Sequence, residues 1–275
     1  MTVRPGLTAW DAWLRDYRPA AQPRVRLVCF PHAGGSASFY RTWARLYPVS
    51  VQTLVVQYPG REDRLSEPFI TDMDQLADQV SEVLLGASDL PLALFGHSMG
   101  AAVAYEVARR LEPAGRAVRA LIVSGRPAPH RQREKSLHLA DDARLTEELR
   151  RFGKTPEGVF AETALRELVL STTRNDYTLI ETYEPRCGPA LRCPIHVLLS
   201  VCDTEVTRDE AEAWGDLTEA ACSVRRFAGG HFYLKTNPAP VIQAVVELLG
   251  PRLDGSPRSV ITAPPDGQAG CDASS

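Results

Sequence analysis

Six short runs of apolar and β-branched residues, at 25–30, 51–57, 92–95, 118–124, 195–201 and 223–227, alternate with stretches whose apolar residues recur at helical spacing. Each run has strand length and is bounded by Gly, Pro or polar residues. Met73, Leu76, Val80, Val83 and Leu84 mark one helix, and Met99, Ala102, Val103, Val107 and Leu111 mark another. Trp214 with Leu217, and then Val241, Val245 and Leu248, mark two more. Strands that are apolar on both faces and separated by helices must be covered on both sides. The chain is therefore expected to form an α/β fold with a mostly parallel sheet flanked by helices. Its 275 residues suffice to bury such a core, and 44% hydrophobic with 24% charged residues excludes a wholly disordered chain.

One connection is too long. From 124 to 195 there are roughly 70 residues, about twice what a crossover with a single helix needs. The surplus carries helical patterns of its own: Leu145, Leu149 and Phe152, then Leu165, Leu168 and Val169, then Tyr177, Leu179, Ile180 and Tyr183. Such insertions often sit above the C-terminal edge of a parallel sheet, so a helical lid over about 126–190 is expected, with an ordinary helical decoration the alternative. The segment 251–275 is rich in Pro, Gly, Ser and Asp and has little to bury. It reads as a disordered tail on a folded unit of 1–250.

The sharpest chemical signal is Gly96-His97-Ser98-Met99-Gly100, placed between the run 92–95 and the helix that opens near Met99. A serine on so tight a strand-to-helix turn needs small residues two before and two after it, and both are glycine. An elbow serine requires an acid and then a histidine later in the chain, each at a strand end. Asp203 follows the run 195–201 and His231 follows the run 223–227, with Gly229 and Gly230 allowing the turn before it. The loop after 118–124 begins Gly125-Arg126-Pro127 and has no carboxylate to compete with Asp203. His196 lies within a strand, and His130 and His138 lack metal-ligand spacing. With H-E-x-x-H also absent, no metal is expected. The Met99 N–H opens the elbow helix, where the helix dipole favours negative charge, and supplies one oxyanion donor. The loop Pro31-His32-Ala33-Gly34-Gly35 is placed to supply the second, and neither G-x-G-x-x-G nor a P-loop lysine supports a phosphate cradle instead.

The set FPHAGGSASFY (30–40), QYPGRE (57–62), GHSMG (96–100) and GGHFYL (229–234) closely resembles the type II thioesterases of polyketide and nonribosomal peptide pathways. The resemblance covers roughly 7–250. It implies an α/β-hydrolase fold and a serine hydrolase that removes acyl groups from the phosphopantetheine arm of carrier proteins. By it Ser98 is the nucleophile, His231 the base, Asp203 the orienting acid, and the amides of Ala33 and Met99 the oxyanion donors. No metal or organic cofactor is implied, and the expected partners are acyl or peptidyl carrier proteins. Ser200 stands where the family usually has a glycine, three residues before the acid. The rival readings are a carboxylesterase or lipase with the same triad, and a silent hydrolase fold used for binding.

Charge bears on partners. With Lys+Arg 31 against Asp+Glu 34 the net charge is −3, which gives no overall attraction to nucleic acid. A carrier that is itself acidic would need a local basic patch, and Arg126, Arg131, Arg133 and Lys135 form the densest one, with a solvated loop the equal alternative. No apolar run approaches the ~18 residues of a membrane span, and MTVRPGLTAWDAWLRDYRP lacks a signal-peptide core, so a cytoplasmic protein is expected. The six cysteines are scattered and without C-x-x-C, so they are expected as thiols. Oligomeric state is left open.

Overall fold

The computed structural model describes residues 8–153 and 155–250. Seven strands form one sheet: β1 (Leu14–Asp16), β2 (Val25–Phe30), β3 (Val51–Val56), β4 (Leu92–His97), β5 (Val118–Ser124), β6 (Ile195–Ser200) and β7 (Cys222–Phe227). Their order is β1-β3-β2-β4-β5-β6-β7, with β1 antiparallel to β3 and every other pair parallel. All six residues of β2 are buried, as a central strand covered on both faces requires.

The pleat divides the core in two. Val28 and Phe30 point to one face, where they meet Val80 and Leu84 of the helix Met73–Leu85 and Val103 and Val107 of the helix Met99–Leu111. Leu27 and Cys29 point to the other, toward Trp43 of the helix Arg41–Leu46 and Val241 and Val245 of the helix Pro238–Leu248. Because β4, β5, β6 and β7 run parallel, the segments after them all emerge at one edge of the sheet. Ser98, Arg126, Asp203 and His231 lie in those four segments.

The six expected strands are present, with ends that differ by at most two residues. β1 has no counterpart among the expectations: it is three residues long, two of them charged, and carries no alternation to read. The patterns at 165–169 and 177–183 do not mark two helices. All of these residues except Tyr183, which lies just beyond its end, belong to a single helix, Thr163–Glu181, that follows Asp142–Arg151 and Glu157–Ala161 in the insertion between β5 and β6. Trp214 and Leu217 lie on a 3-10 turn, Ala213–Leu217, after a short helix Arg208–Glu212. Among the described residues Cys29, Cys187, Cys193 and Cys222 are free thiols. The expected tail at 251–275 lies outside the described residues. Among the described residues no helix is long and apolar enough to cross a membrane.

Candidate active site

Ser98 sits at φ 54°, ψ −122°, in the left-handed half of the map that a residue with a Cβ avoids. Its backbone is held by the Ser98 N–H donating to Ser124 O at 2.8 Å, and by Ala101 N–H returning to Ser98 O at 3.0 Å. The flanking glycines are steric necessities. A Cβ on Gly96 would lie 2.1 Å from Gly100 O, and one on Gly100 would lie 2.1 Å from Phe30 O. The same close approach brings the loop after β2 against the N-terminus of the elbow helix.

Asp203 and His231 are paired. The imidazole Nδ1 lies 2.9 Å from Asp203 Oδ2, and the two side chains are 7% and 0% exposed. With Nδ1 bonded to a carboxylate, the proton belongs on Nδ1 and Nε2 is left to accept one. Ser98 and His231 line the same cleft, although no hydrogen bond joins them in this arrangement. The acid loop is tied to the histidine loop by Cys202 N–H donating to Gly229 O at 3.1 Å. Ser200 is accommodated there, because its hydroxyl donates to the same Gly229 carbonyl. Asp203 Oδ1 is occupied by the Glu205 N–H at 2.9 Å, which leaves Oδ2 to the histidine.

A packed floor holds the imidazole in place. His97 Nδ1 and Tyr233 Oη each bond Ser124 Oγ, at 2.9 and 2.8 Å. Rings of His97, Phe152 and Phe232 stand 4.9, 5.2 and 4.7 Å from the His231 ring. Gly125, at φ 60°, leaves the space these rings need, since a Cβ there would lie 2.6 Å from His97 Cε1 and 3.1 Å from His231 Cε1.

The glycine-rich loop folds as a β-turn, with Gly35 N–H donating to His32 O at 2.9 Å and Gly34 at φ 71°. A trans peptide points its C=O and N–H in opposite directions. With the His32 carbonyl turned inward to Gly35, the Ala33 N–H is turned outward. Among the described residues neither the Ala33 nor the Met99 amide donates a hydrogen bond within the protein, and both residues line the cleft with Ser98. Two outward amides beside a serine and a helix N-terminus can bind a developing oxyanion.

One residue at the site had no expectation attached to it. Asp176, on the insertion helix, accepts the Gly34 N–H at 2.7 Å and both terminal nitrogens of Arg61. Its place on the buried face, with Thr172, Thr173, Leu179 and Ile180 at helical spacing, was the available signal.

The basic run at the insertion is not an open patch. Arg133 makes two bonds of 2.7 Å to Glu210, and Lys135 pairs with Glu205. Burial pulls the Arg126 guanidinium down to about 10, and it lines the cleft beside Gln132. Only Arg131 of the four is exposed without an ion pair among the described residues. Glu205 also bonds Arg151 at 2.7 Å. Burial alone would raise its carboxyl, but Lys135 and Arg151 outweigh that and hold it at about 2. Three histidines are engaged elsewhere: His196 with Ser223 at 2.7 Å, His138 with Glu181 at 2.6 Å and His130 with Asp216 at 3.2 Å.

The family described as the thioesterase domain matches residues 25–251. A probable cadicidin biosynthesis thioesterase of Streptomyces griseus is 41% identical over 250 residues, covering 90% of this chain and 69% of its own. Thioesterase PikA5 of Streptomyces venezuelae is 39% identical over 274 residues, covering 96% and 95%. Among solved structures, the type II thioesterase BorB from the borrelidin biosynthetic cluster superposes with a TM-score of 0.82 at 46% identity, over 87% of this chain and 98% of that one. YbtT, the type II thioesterase of the yersiniabactin pathway, gives 0.80 at 31%, over 86% and 98%. The chain belongs to the thioesterase family, among the type II thioesterases of polyketide and nonribosomal peptide biosynthesis.

Proposed function

We propose that this protein hydrolyses acyl thioesters on the phosphopantetheine arm of carrier proteins, clearing aberrant or stalled acyl groups from a biosynthetic line in the cytoplasm. The observation that carries the reading is the meeting, at one sheet edge, of a strained serine, a histidine–aspartate pair and two unbonded amides. His231 Nε2 takes the Ser98 proton as Oγ attacks the thioester carbonyl carbon. The amides of Ala33 and Met99 hold the resulting oxyanion, and Asp203 stabilises the imidazolium. Collapse breaks the carbon–sulfur bond, and the imidazolium gives its proton to the leaving pantetheine thiolate. Water, deprotonated by His231, then attacks the acyl-serine and releases the acid. The Ser98–His231 hydrogen bond forms in the substrate complex, as such contacts often tighten only there. The insertion over about 126–190 serves as the lid.

Carrier proteins loaded with a panel of acyl groups, with release followed by intact mass, test the reaction and its acyl preference together. Ser98→Ala is expected to fold normally and lose activity by at least ~10³-fold, since triad members act as a unit. Matched oxygen esters hydrolysed as fast as the carrier thioesters would instead make the protein a carboxylesterase. Full activity in Ser98→Ala would overturn the triad.

A further inference from the structure

Arg61 and Asp176 form a buried ion pair that no triad chemistry uses. Their side chains are 6% and 2% exposed, and both guanidinium–carboxylate bonds are short, at 2.6 and 2.7 Å. Asp176 Oδ2 also accepts the Gly34 N–H at 2.7 Å, Oδ1 accepts Asn175 Nδ2 at 3.1 Å, and Arg61 Nη1 donates to Gly35 O at 2.9 Å. Burial alone would lower the Arg61 guanidinium, yet the charge and hydrogen bonds of Asp176 raise it.

A buried ion pair is a weak device for stability, since a well-packed apolar pair of the same volume usually serves as well. What an apolar pair cannot do is grip a backbone N–H and a backbone C=O. Here the two gripped groups belong to Gly34 and Gly35, the residues directly after Ala33. Together with the Gly35–His32 bond they leave the Ala33 N–H as the turn's outward donor. Thr173, one helical turn before Asp176, closes the remaining freedom: its Oγ1 lies 2.9 Å from where a Cβ on Gly34 would stand.

We infer that Asp176 and Arg61 are positioning residues for transition-state stabilisation: they clamp the 32–35 turn so that the Ala33 amide points at the developing oxyanion. The inference rests on the proposed thioesterase reaction. Because Asp176 belongs to the insertion helix Thr163–Glu181 and Arg61 to the segment after β3, the clamp also makes the oxyanion site depend on the seating of that helix. A donor displaced by about 1 Å can cost on the order of 10²-fold in rate without changing ground-state binding.

The test uses the full chain and its Asp176→Ala, Asp176→Asn and Arg61→Lys variants. Steady-state hydrolysis of an acyl-carrier substrate is measured beside the affinity for a trifluoromethyl ketone analogue of the thioester, which forms a tetrahedral adduct. Asp176→Ala is expected to lower kcat by about 10²-fold with KM within about threefold, and to weaken the analogue by a factor that tracks kcat. Asp176→Asn keeps a neutral acceptor for Gly34 and is expected to recover part of both losses. Arg61→Lys, which cannot bridge the carboxylate and Gly35 O in the same fork, is expected to lie between them. If Asp176→Ala does not fold, the other two variants carry the same comparison. A lower melting temperature with unchanged kcat and analogue affinity would make the pair purely structural and overturn the inference. Failure of Ser98→Ala to abolish hydrolysis would overturn the reaction itself, a result separable from any behaviour of Asp176.

Discussion

The two halves of the helix Thr163–Glu181 are held by different physics. In the second half Thr172, Thr173, Asn175, Asp176, Leu179 and Ile180 are buried, and Leu179 and Ile180 join the core cluster beneath the sheet. In the first half every residue from Thr163 to Leu168 is exposed, with Leu165 at 47% and Leu168 at 38%. The neighbouring parts of the insertion bury Leu145 and Phe160 and add ion pairs at or near the surface: Arg150–Glu157, Arg174–Asp142, and Glu205 with Lys135 and Arg151. One continuous helix thus joins a half seated by burial to an exposed first half whose surroundings add screened ion pairs.

Substitutions can break or sharpen that contrast. Leu179→Ala empties a site that is 1% exposed and is expected to cost about 2–5 kcal/mol in a denaturant titration. Gly34→Ala meets both a φ of 71° and the Thr173 hydroxyl, and is expected to cost about 1–3 kcal/mol with a clear loss of kcat. Adding Thr173→Ala should return only the steric part. Glu205→Gln addresses the charged fastening. Because the folded-state carboxyl is held at about 2, below its ordinary 4.5, its contribution is fully present above about 4.5 and fades as pH falls through about 2. The variant should be less stable than the parent by up to about 1 kcal/mol at neutral pH, by less in high salt, and indistinguishable from it at the acid end. Leu168→Ala should be the mildest, within about 0.5 kcal/mol. A loss there that matched Leu179→Ala would erase the distinction between the two halves.

The parts of the molecule that were readable beforehand are those whose information is local. Gly96, Ser98 and Gly100 lie within five consecutive positions, and the steric reason for both glycines can be stated from the turn alone. Asp203 and His231 could be located because each follows a strand long enough to recognise. Fastenings between distant segments were not readable. Arg133 and Lys135 look like a basic patch in the chain, yet their acids, Glu210 and Glu205, stand 77 and 70 positions away. Asp176 sits 115 positions from Arg61, so neither residue announces the other. The long helix shows in the sequence only as two separate patterns, because its exposed first half and buried second half carry different apolar spacings.

The sheet ends differently at its two margins. Among the described residues both margins are edges: β1 is three residues long and antiparallel to β3, whereas β7 runs six residues parallel to β6 with its far side outward. A free strand edge is a template on which other chains can add. Along β7, Arg225 and Arg226 are exposed, and Arg225 is joined to Glu247 at 2.8 Å. Two adjacent charges on a six-residue margin make strand addition from a second molecule costly. The charges that the β7 edge presents thus act against the pairing that its unoccupied backbone groups would otherwise invite.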